Sequence, residues 1–248
     1  MYGILCATPE ELDALRTRLA PEPQPQAFGP TQVWTGEHEG QAFALALAGI
    51  GKVNAAAAAT LLLAVFRAQA LIFAGVAGGL NPELEVGAVL LGERLGTHDY
   101  GRIAQARFTR TRSGIIPVGA AELTELPMVS DLVRANLLRL RERVRDALPS
   151  PARLGAIATA DYFLNCGITR DALHGELAAD AIDMESGAVQ QVAEAWGVPA
   201  YVIRTLSDLA GEESHLDYPR LAAMAAANSA LCVTELLAIL SAQRVAAS

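Results

Sequence analysis

Acidic side chains follow several of the short apolar runs that are typical of buried strands. Glu11, Glu185 and Asp208 each come just after such a run, and Arg204 lies within the last one. Because an open α/β sheet places the carboxyl ends of its strands at one crevice, we expect these groups to converge there. Carboxylates and an arginine, without histidines at metal-binding spacing, favour acid–base chemistry on a small organic molecule and predict no metal.

A glycine-rich run follows the predicted strand Ala70–Phe73. Gly75, Gly78 and Gly79 carry no side chain, so a ligand can approach the backbone closely at this strand end. A tight structural turn is the alternative explanation for the same glycines. The earlier run Gly49–Val53 contains Gly-x-Gly-Lys but lacks the full phosphate-loop pattern, so it does not predict a phosphate site.

Strand-like and helix-like segments alternate along the whole chain, with no internal repeat and no interdomain linker. This alternation predicts a three-layer αβα sandwich around a twisted mixed sheet that is largely parallel, in one domain over residues 1–248. The predicted strands are Tyr2–Ala7, Thr31–Gly36, Gln41–Ala48, Ala70–Phe73, Val86–Leu91, Ala156–Ala160, Ala181–Met184 and Pro199–Leu206. The predicted helices begin after Thr8, after Gly51, at Ser130, at Glu185 and near Tyr218, and Pro21–Pro30 is a predicted loop.

The first predicted helix has a strong start signal. Thr8 is a good N-cap, Pro9 suits the first helical position, and Glu11 stands at the offset of a capping box. Glu11 is therefore expected in the first turn of a helix that begins where a strand ends. A capping role alone would also explain this glutamate.

Composition excludes several classes of protein. The 248 residues carry a net charge of −8, which argues against a nucleic-acid binder and against docking on an anionic membrane. Three widely separated cysteines predict neither a disulfide framework nor a zinc site. The first residues lack the features of a signal peptide, and the apolar stretch Leu221–Leu240 contains polar residues that favour a buried helix. We therefore expect a cytoplasmic protein.

Several motifs together resemble one family. The segments are Ala7–Leu12, Gly49–Val53, Gly75–Gly79, Ile182–Ala188, Arg204–Asp208 and Glu213–Leu216. Ile182–Ala188 resembles the V-D/E-M-E signature of the purine nucleoside phosphorylase/nucleosidase superfamily, and Arg204–Asp208 resembles its R-x-I/V-S-D strand end. The whole set, which covers nearly the full chain in order, is similar to the 5′-methylthioadenosine/S-adenosylhomocysteine nucleosidases.

The resemblance implies a nucleoside phosphorylase-like fold, a small-molecule nucleoside substrate, no cofactor and a homodimer. By resemblance, Asp208 protonates N7 of the leaving adenine and Glu11 activates the attacking water. Arg204 holds that water or orients Glu11, while Glu185 binds the ribose hydroxyls with Met184 packed on the sugar. The other implied substrate-binding residues are Phe163, which stacks on the base, its neighbour Leu164, Ile50 and Tyr218 on the ribose and 5′-thio side, Val76, Gly78 and Ser207.

The chain also departs from the family pattern. Val76 stands where a serine is common, Asp183 replaces a frequent glutamate, and Thr8-Pro9 replaces the usual Met-Glu. The segment Asp99–Leu126 matches poorly, which leaves the preferred 5′ substituent open. Three alternatives also remain: a phosphate-dependent phosphorylase of the same fold, a futalosine or aminodeoxyfutalosine nucleosidase, and a nucleoside-binding protein without turnover.

Overall fold

The computed structural model describes residues 1–247, and side chains as far as residue 243. Eleven strands are formed: β1 (Tyr2–Cys6), β2 (Gln26–Phe28), β3 (Thr31–His38), β4 (Gln41–Leu47), β5 (Leu71–Gly79), β6 (Val89–Thr97), β7 (Gly101–Ala104), β8 (Arg107–Arg110), β9 (Arg153–Thr159), β10 (Ala181–Asp183) and β11 (Ala200–Asp208). The helices are α1 (Pro9–Leu19), α2 (Lys52–Ala64), α3 (Asp131–Arg143), α4 (Gly167–Leu177), α5 (Ser186–Trp196) and α6 (Ser214–Ala247).

Nine strands form one mixed sheet in the order β10-β9-β6-β11-β5-β1-β4-β3-β2. Strand β5 pairs in parallel with β1 and β11, whereas β11 pairs antiparallel with β6 and β3 pairs antiparallel with both its neighbours. An additional antiparallel pairing between β10 and β5 closes the ring β10-β9-β6-β11-β5. The α/β class with a mixed sheet is confirmed, although the sheet is less parallel than the sequence indicates.

The helices cover the sheet in two groups. Helices α1 and α3 pack against the long α6, which itself lies on β5 and β11. Helices α2 and α5 pack against each other and against β1 and β6 respectively. The apolar residues between these layers form one large buried cluster, as expected when each element buries one face.

The start of α1 is formed as the sequence predicts. The Thr8 hydroxyl accepts a hydrogen bond from the Glu11 backbone N–H at 3.4 Å, and the Glu11 carboxylate accepts one from the Thr8 N–H at 3.1 Å. Pro9 is the first helical residue. The capping box is complete, and it places Glu11 directly behind the end of β1.

The glycine-rich run is not a loop after a strand, as the sequence indicated, but the second half of β5. Gly75 lies opposite Arg204 of β11, and Gly78 lies opposite Asp208. Gly78 is paired on both sides, with Asp208 of β11 and with Ile182 of β10, and this pairing compensates for the low strand preference of glycine. The predicted strand end at Phe73 was therefore wrong by several residues.

Other element predictions need correction. The predicted loop Pro21–Pro30 contains the short edge strand β2, α4 was not predicted, and β7 and β8 form a hairpin inside the irregular segment Asp99–Leu126. Helix α6 begins at Ser214 and not near Tyr218, because Pro219 lies inside the helix and not at its start. Proline there removes one backbone hydrogen bond, which the packed helix tolerates.

Helix α6 is also the one helix in the described part of the chain with the length and composition of a membrane span. Its most apolar window is 56% buried against the rest of the protein. Cys232, Leu236 and Leu237 on this helix are fully buried in the main core. The helix thus packs as a core helix, in agreement with the prediction for Leu221–Leu240.

Candidate active site

A cavity of about 370 Å³ opens where β1, β5, β10 and β11 end. A volume of this size is typical of small-molecule sites. Most of the residues implied by the resemblance line it: Glu11, Ile50, Val76, Gly78, Phe163, Leu164, Met184, Glu185, Ser207, Asp208 and Tyr218. Ala7, Thr8, Ala77, Tyr162, Ile182 and Asp183 line it as well. Arg204 does not belong to this lining.

Glu11 is held from both sides by backbone N–H groups. Its Oε2 accepts hydrogen bonds from Ala7 at 2.7 Å and from Thr8 at 3.1 Å, and its Oε1 accepts one from Val76 at 2.9 Å. Burial raises the pKa of this carboxyl above its ordinary value, while Arg204 and the three N–H groups oppose that shift. Because the Val76 contact comes from the backbone, it does not require serine at this position.

Gly75 makes room for the approach of Glu11 to Arg204. A Cβ atom at this position would overlap both the Glu11 carboxylate and the Arg204 guanidinium. The glycine was expected to admit a ligand or to form a turn. The structure instead shows it admitting a buried carboxylate and a buried guanidinium of the protein itself.

Arg204 lies behind the cavity, fully buried among carboxylates. Its Nε donates to Asp183 Oδ2 at 2.9 Å and its Nη2 donates to Glu185 Oε2 at 3.2 Å. Its Nη1 is 3.9 Å from Glu11 Oε1 and has no hydrogen-bond partner within the described structure. The guanidinium also stacks over the Phe73 ring at 4.0 Å. Arg204 thus links three acidic groups, which suits a planar cation with several fixed donors.

Asp183 is more central than its sequence position indicated. Besides Arg204, its carboxylate accepts hydrogen bonds from the Thr159 hydroxyl at 2.6 Å, from the Ser186 N–H at 3.2 Å, and from the Ser186 hydroxyl. These contacts anchor the start of α5 to β9. The sequence analysis treated Asp183 only as a shorter substitute for glutamate. Its position directly before Met184 and Glu185 could have identified it as a residue of the site.

Glu185 lies at the N-terminal end of α5 and points to the turn before α2. Its Oε1 accepts a hydrogen bond from the Gly51 N–H at 2.8 Å. Burial raises the pKa of Glu185 to about 7, with Asp183 adding to the shift and Arg204 opposing it. The carboxyl therefore changes charge near neutral pH, unlike a solvated glutamate.

Asp208 has a different set of partners at the end of β11. Its Oδ1 accepts a hydrogen bond from the Ala210 N–H at 2.9 Å, and its Oδ2 accepts one from the Ser207 hydroxyl at 2.9 Å. No salt bridge reaches it from any residue whose side chain the structure describes. Burial raises the pKa of Asp208, opposed by the N–H of Ala210 and by the hydroxyls of Ser214 and Ser207.

Aromatic residues form the more open side of the cavity. Phe163 is 49% exposed, and its ring meets Tyr218 edge to face with 6.1 Å between centroids. Leu164 is buried beside it, and Ile50 is exposed. An exposed aromatic face on a cavity is suited to stacking on a planar ring. Tyr162, which the sequence analysis did not identify, also lines the cavity. Its hydroxyl lies 2.9 Å from His98 Nε2.

The arrangement is equipped for proton transfer on a neutral ligand. Three carboxyls with raised pKa values line one cavity: Glu11, Glu185 and Asp208. Acid and base on one substrate is the logic of glycosidic-bond cleavage without a covalent intermediate. Across the described residues, no group of three or more histidine, cysteine, aspartate or glutamate side chains is placed to hold a metal.

In a comparison with known protein families, the phosphorylase superfamily model matches residues 1–238 of this chain. The 5′-methylthioadenosine/S-adenosylhomocysteine nucleosidase of Mycobacterium bovis is 37% identical and aligns over 97% of this chain and 98% of its own. The Neisseria meningitidis nucleosidase of the same name, in complex with methylthio-immucillin-A, superposes with a TM-score of 0.81 at 28% identity, over 96% and 98% of the chains. The futalosine hydrolase of Helicobacter pylori superposes with a TM-score of 0.82 at 26% identity, over 95% and 96%.

These matches span nearly the whole chain and agree with the motifs around the cavity. The relative from Mycobacterium bovis carries a nucleosidase name, and nucleosidases are hydrolases of the N-glycosidic bond. The chain therefore belongs to the phosphorylase superfamily and, within it, to the 5′-methylthioadenosine/S-adenosylhomocysteine nucleosidases.

Proposed function

We propose that this protein hydrolyses the N-glycosidic bond of 5′-methylthioadenosine, S-adenosylhomocysteine or both, and releases adenine and a 5-thio-substituted ribose. The observation that carries the proposal is the pair Glu11 and Asp208 on one cavity, with a different environment for each. Relatives aligned over nearly the full chain carry the name of this activity.

Asp208 is the proposed acid. Adenine leaves poorly as an anion, so a proton must reach N7 as the glycosidic bond breaks. Burial raises the pKa of Asp208, and no cation pairs with it among the described side chains, which favours the protonated form. Ser207 and Ala210 hold the carboxyl in one orientation.

Glu11 is the proposed base for the attacking water. Three backbone N–H groups and the nearby Arg204 stabilise its ionised form, as a base requires. Arg204 acts through its contacts with Glu11 and Glu185 from behind the cavity. Glu185 is the proposed acceptor for the ribose hydroxyls, with Met184 against the sugar and Phe163 against the base.

A phosphate-dependent phosphorylase is disfavoured by the charges at the cavity. Arg204, the one buried arginine among the described side chains, is engaged with Asp183 and Glu185, so it has little capacity left for a phosphate. The negative charge of Glu11 on the cavity wall would repel a bound phosphate. A futalosine nucleosidase remains the second candidate, because a futalosine hydrolase superposes as well as the nucleosidases and the proposed catalytic groups would be shared.

One substrate panel tests these alternatives. Adenine release from 5′-methylthioadenosine, S-adenosylhomocysteine and adenosine, with base release from aminodeoxyfutalosine, is measured with and without phosphate. We expect phosphate-independent release and the highest kcat/KM for a 5′-thio nucleoside. Strict dependence on phosphate would overturn the hydrolase proposal, and a preference for aminodeoxyfutalosine would replace the substrate. Ligand binding without release would favour a binding protein.

We also propose a cytoplasmic homodimer that acts in nucleoside catabolism and methionine salvage, as a single domain over residues 1–248 that binds neither nucleic acid nor membrane. A groove of about 370 Å³ runs between α2, α5 and the segment before α3. Val53 on α2, and Ile116 and Val118 in that segment, are highly exposed. Exposed apolar surface of this kind is typical of subunit contacts. Light scattering of the purified protein tests the dimer.

A further inference from the structure

Three charged residues outside the cavity lining bring two cavity-lining segments together. The Lys52 ammonium lies 2.5 Å from Asp99 Oδ1 and 3.5 Å from Asp161 Oδ2. We propose that Lys52, Asp99 and Asp161 form a positioning cluster, which fixes the ribose-binding turn 49–51 relative to the base-stacking loop 162–164. The proposal rests on the proposed function, because it names the two halves of that site.

The ribose side of the cluster acts through the backbone of the turn before α2. The Lys52 N–H donates to Asp161 Oδ1 at 2.9 Å, and the preceding Gly51 N–H donates to Glu185 Oε1 at 2.8 Å. Gly51 has a φ of 96°, in the left-handed region that favours glycine. Asp161 therefore helps to hold in place the N–H group that orients Glu185.

The base side acts through two adjacent contacts. The Asp161 N–H donates to Asp99 Oδ2 at 3.0 Å, and the Tyr162 hydroxyl lies 2.9 Å from His98 Nε2. Burial lowers the pKa of His98 to about 4, so the ring is neutral near pH 7 and shares a hydrogen bond with the tyrosine hydroxyl. Residues 98–99 thus fix residues 161–162, immediately before Phe163.

The ammonium of Lys52 is what makes this arrangement favourable. Asp99 and Asp161 are adjacent carboxylates, and without a cation they repel each other. None of the three lines the cavity, so the cluster acts through Glu185 and Phe163 and not on the substrate. Both lining segments should lose their fixed relative position when the ammonium is removed.

The test compares Lys52→Met with Lys52→Arg and with the control Arg134→Met. Arg134 forms a similar ion pair with Glu93, 2.9 Å between Nε and Oε2, away from the cavity. For Lys52→Met we expect KM for the 5′-thio nucleoside to rise about tenfold and kcat to change by less than about threefold, because positioning is lost while the reacting groups remain. Lys52→Arg should restore most of the affinity, and Arg134→Met should match wild type.

Two further readouts separate positioning from general destabilisation. In Lys52→Met the preference for a ribonucleoside over its 2′-deoxy analogue should shrink, and inhibition by free adenine should weaken. A double-mutant cycle with Asp99→Asn should be non-additive, because both changes remove the same ion pair. Unchanged sugar preference and adenine inhibition, or additive effects, would overturn the proposal even if the melting temperature falls.

The effect of Lys52→Met on ligand binding can be measured whether or not the proposed hydrolysis occurs. If wild-type protein releases no adenine from any nucleoside, the proposed function fails, and calorimetric Kd values then replace KM. Under the positioning proposal, Lys52→Met still weakens binding of 5′-methylthioadenosine and of adenine, and Lys52→Arg restores both. Equal Kd values in wild type and Lys52→Met would reject the cluster in that case too.

Discussion

Two carboxyls that line the cavity lie in different surroundings. Glu11 is surrounded by three backbone N–H groups, with the Arg204 guanidinium 3.9 Å away. Asp208 is bonded to one backbone N–H and to hydroxyl groups. Burial raises both pKa values, but a cation opposes the shift only at Glu11.

These surroundings explain how one site can hold an acid and a base of similar intrinsic strength. Fixed donors and a nearby positive charge stabilise an ionised carboxylate, whereas burial without a cation favours the protonated form. Glu11 is therefore the better base and Asp208 the better acid.

Replacing Asp208 with asparagine should abolish the acid while keeping the shape of the cavity. We expect kcat for adenine release to fall about 10³-fold, because the proton donor for N7 is lost. The Kd of 5′-methylthioadenosine, measured by calorimetry, should change by less than about threefold. Turnover near that of wild type would refute the acid role.

Replacing Glu11 with glutamine should remove the base and lower kcat about 10²-fold. Glu10→Gln is the matched control, because Glu10 is the exposed neighbour on the same helix. We expect the control to retain wild-type kinetics. Comparable losses in both variants would show that helix charge, and not a base at position 11, controls the rate.

Replacing Glu185 with glutamine should weaken recognition of the sugar more than the chemistry. We expect kcat/KM for the ribonucleoside to fall about 30-fold, since a charged acceptor for the ribose hydroxyls is lost. The 2′-deoxy analogue should be affected less, which is measured by comparing both substrates. An equal loss for both would contradict contact with the 2′-hydroxyl.

The same variant tests the pH dependence of folding. The pKa of Glu185 is raised from 4.5 to about 7 in the folded protein, so the folded state binds the proton more tightly than the unfolded chain does. Its stabilising contribution is present below about pH 4.5 and is lost as pH rises through about 7. Thermal melts should show wild type losing stability relative to Glu185→Gln over that range, whereas parallel curves would contradict the raised pKa.

Replacing Val76 with serine, the residue common in the family, should have the smallest effect. The Val76 backbone N–H already donates to Glu11 at 2.9 Å, and this contact does not depend on the side chain. We expect kcat/KM to remain within about threefold of wild type, less than 1 kcal/mol of barrier. A tenfold gain would instead show that the missing hydroxyl limits the reaction.

Local sequence signals are enough to predict the start of α1, the fold class and the family motifs of this protein. The capping box places Glu11 at the start of α1 through hydrogen bonds that span three residues, so it could be recognised from spacing alone. The α/β class follows from alternating apolar runs, and the motifs around Glu185 and Asp208 carry the family resemblance. The roles assigned to these residues remain predictions until the variants are measured.

The surroundings of those residues depend on contacts between segments that are distant in sequence. Val76 and Glu11 are 65 residues apart, and Gly51 and Glu185 are 134 apart, so no local pattern predicts their hydrogen bonds. The glycines of β5 belong to a strand because β11 pairs with them, and Gly75 is needed because Glu11 and Arg204 meet there. Spacing encodes contacts within a helix or strand, whereas pKa values and ion pairs arise where distant segments exclude water together.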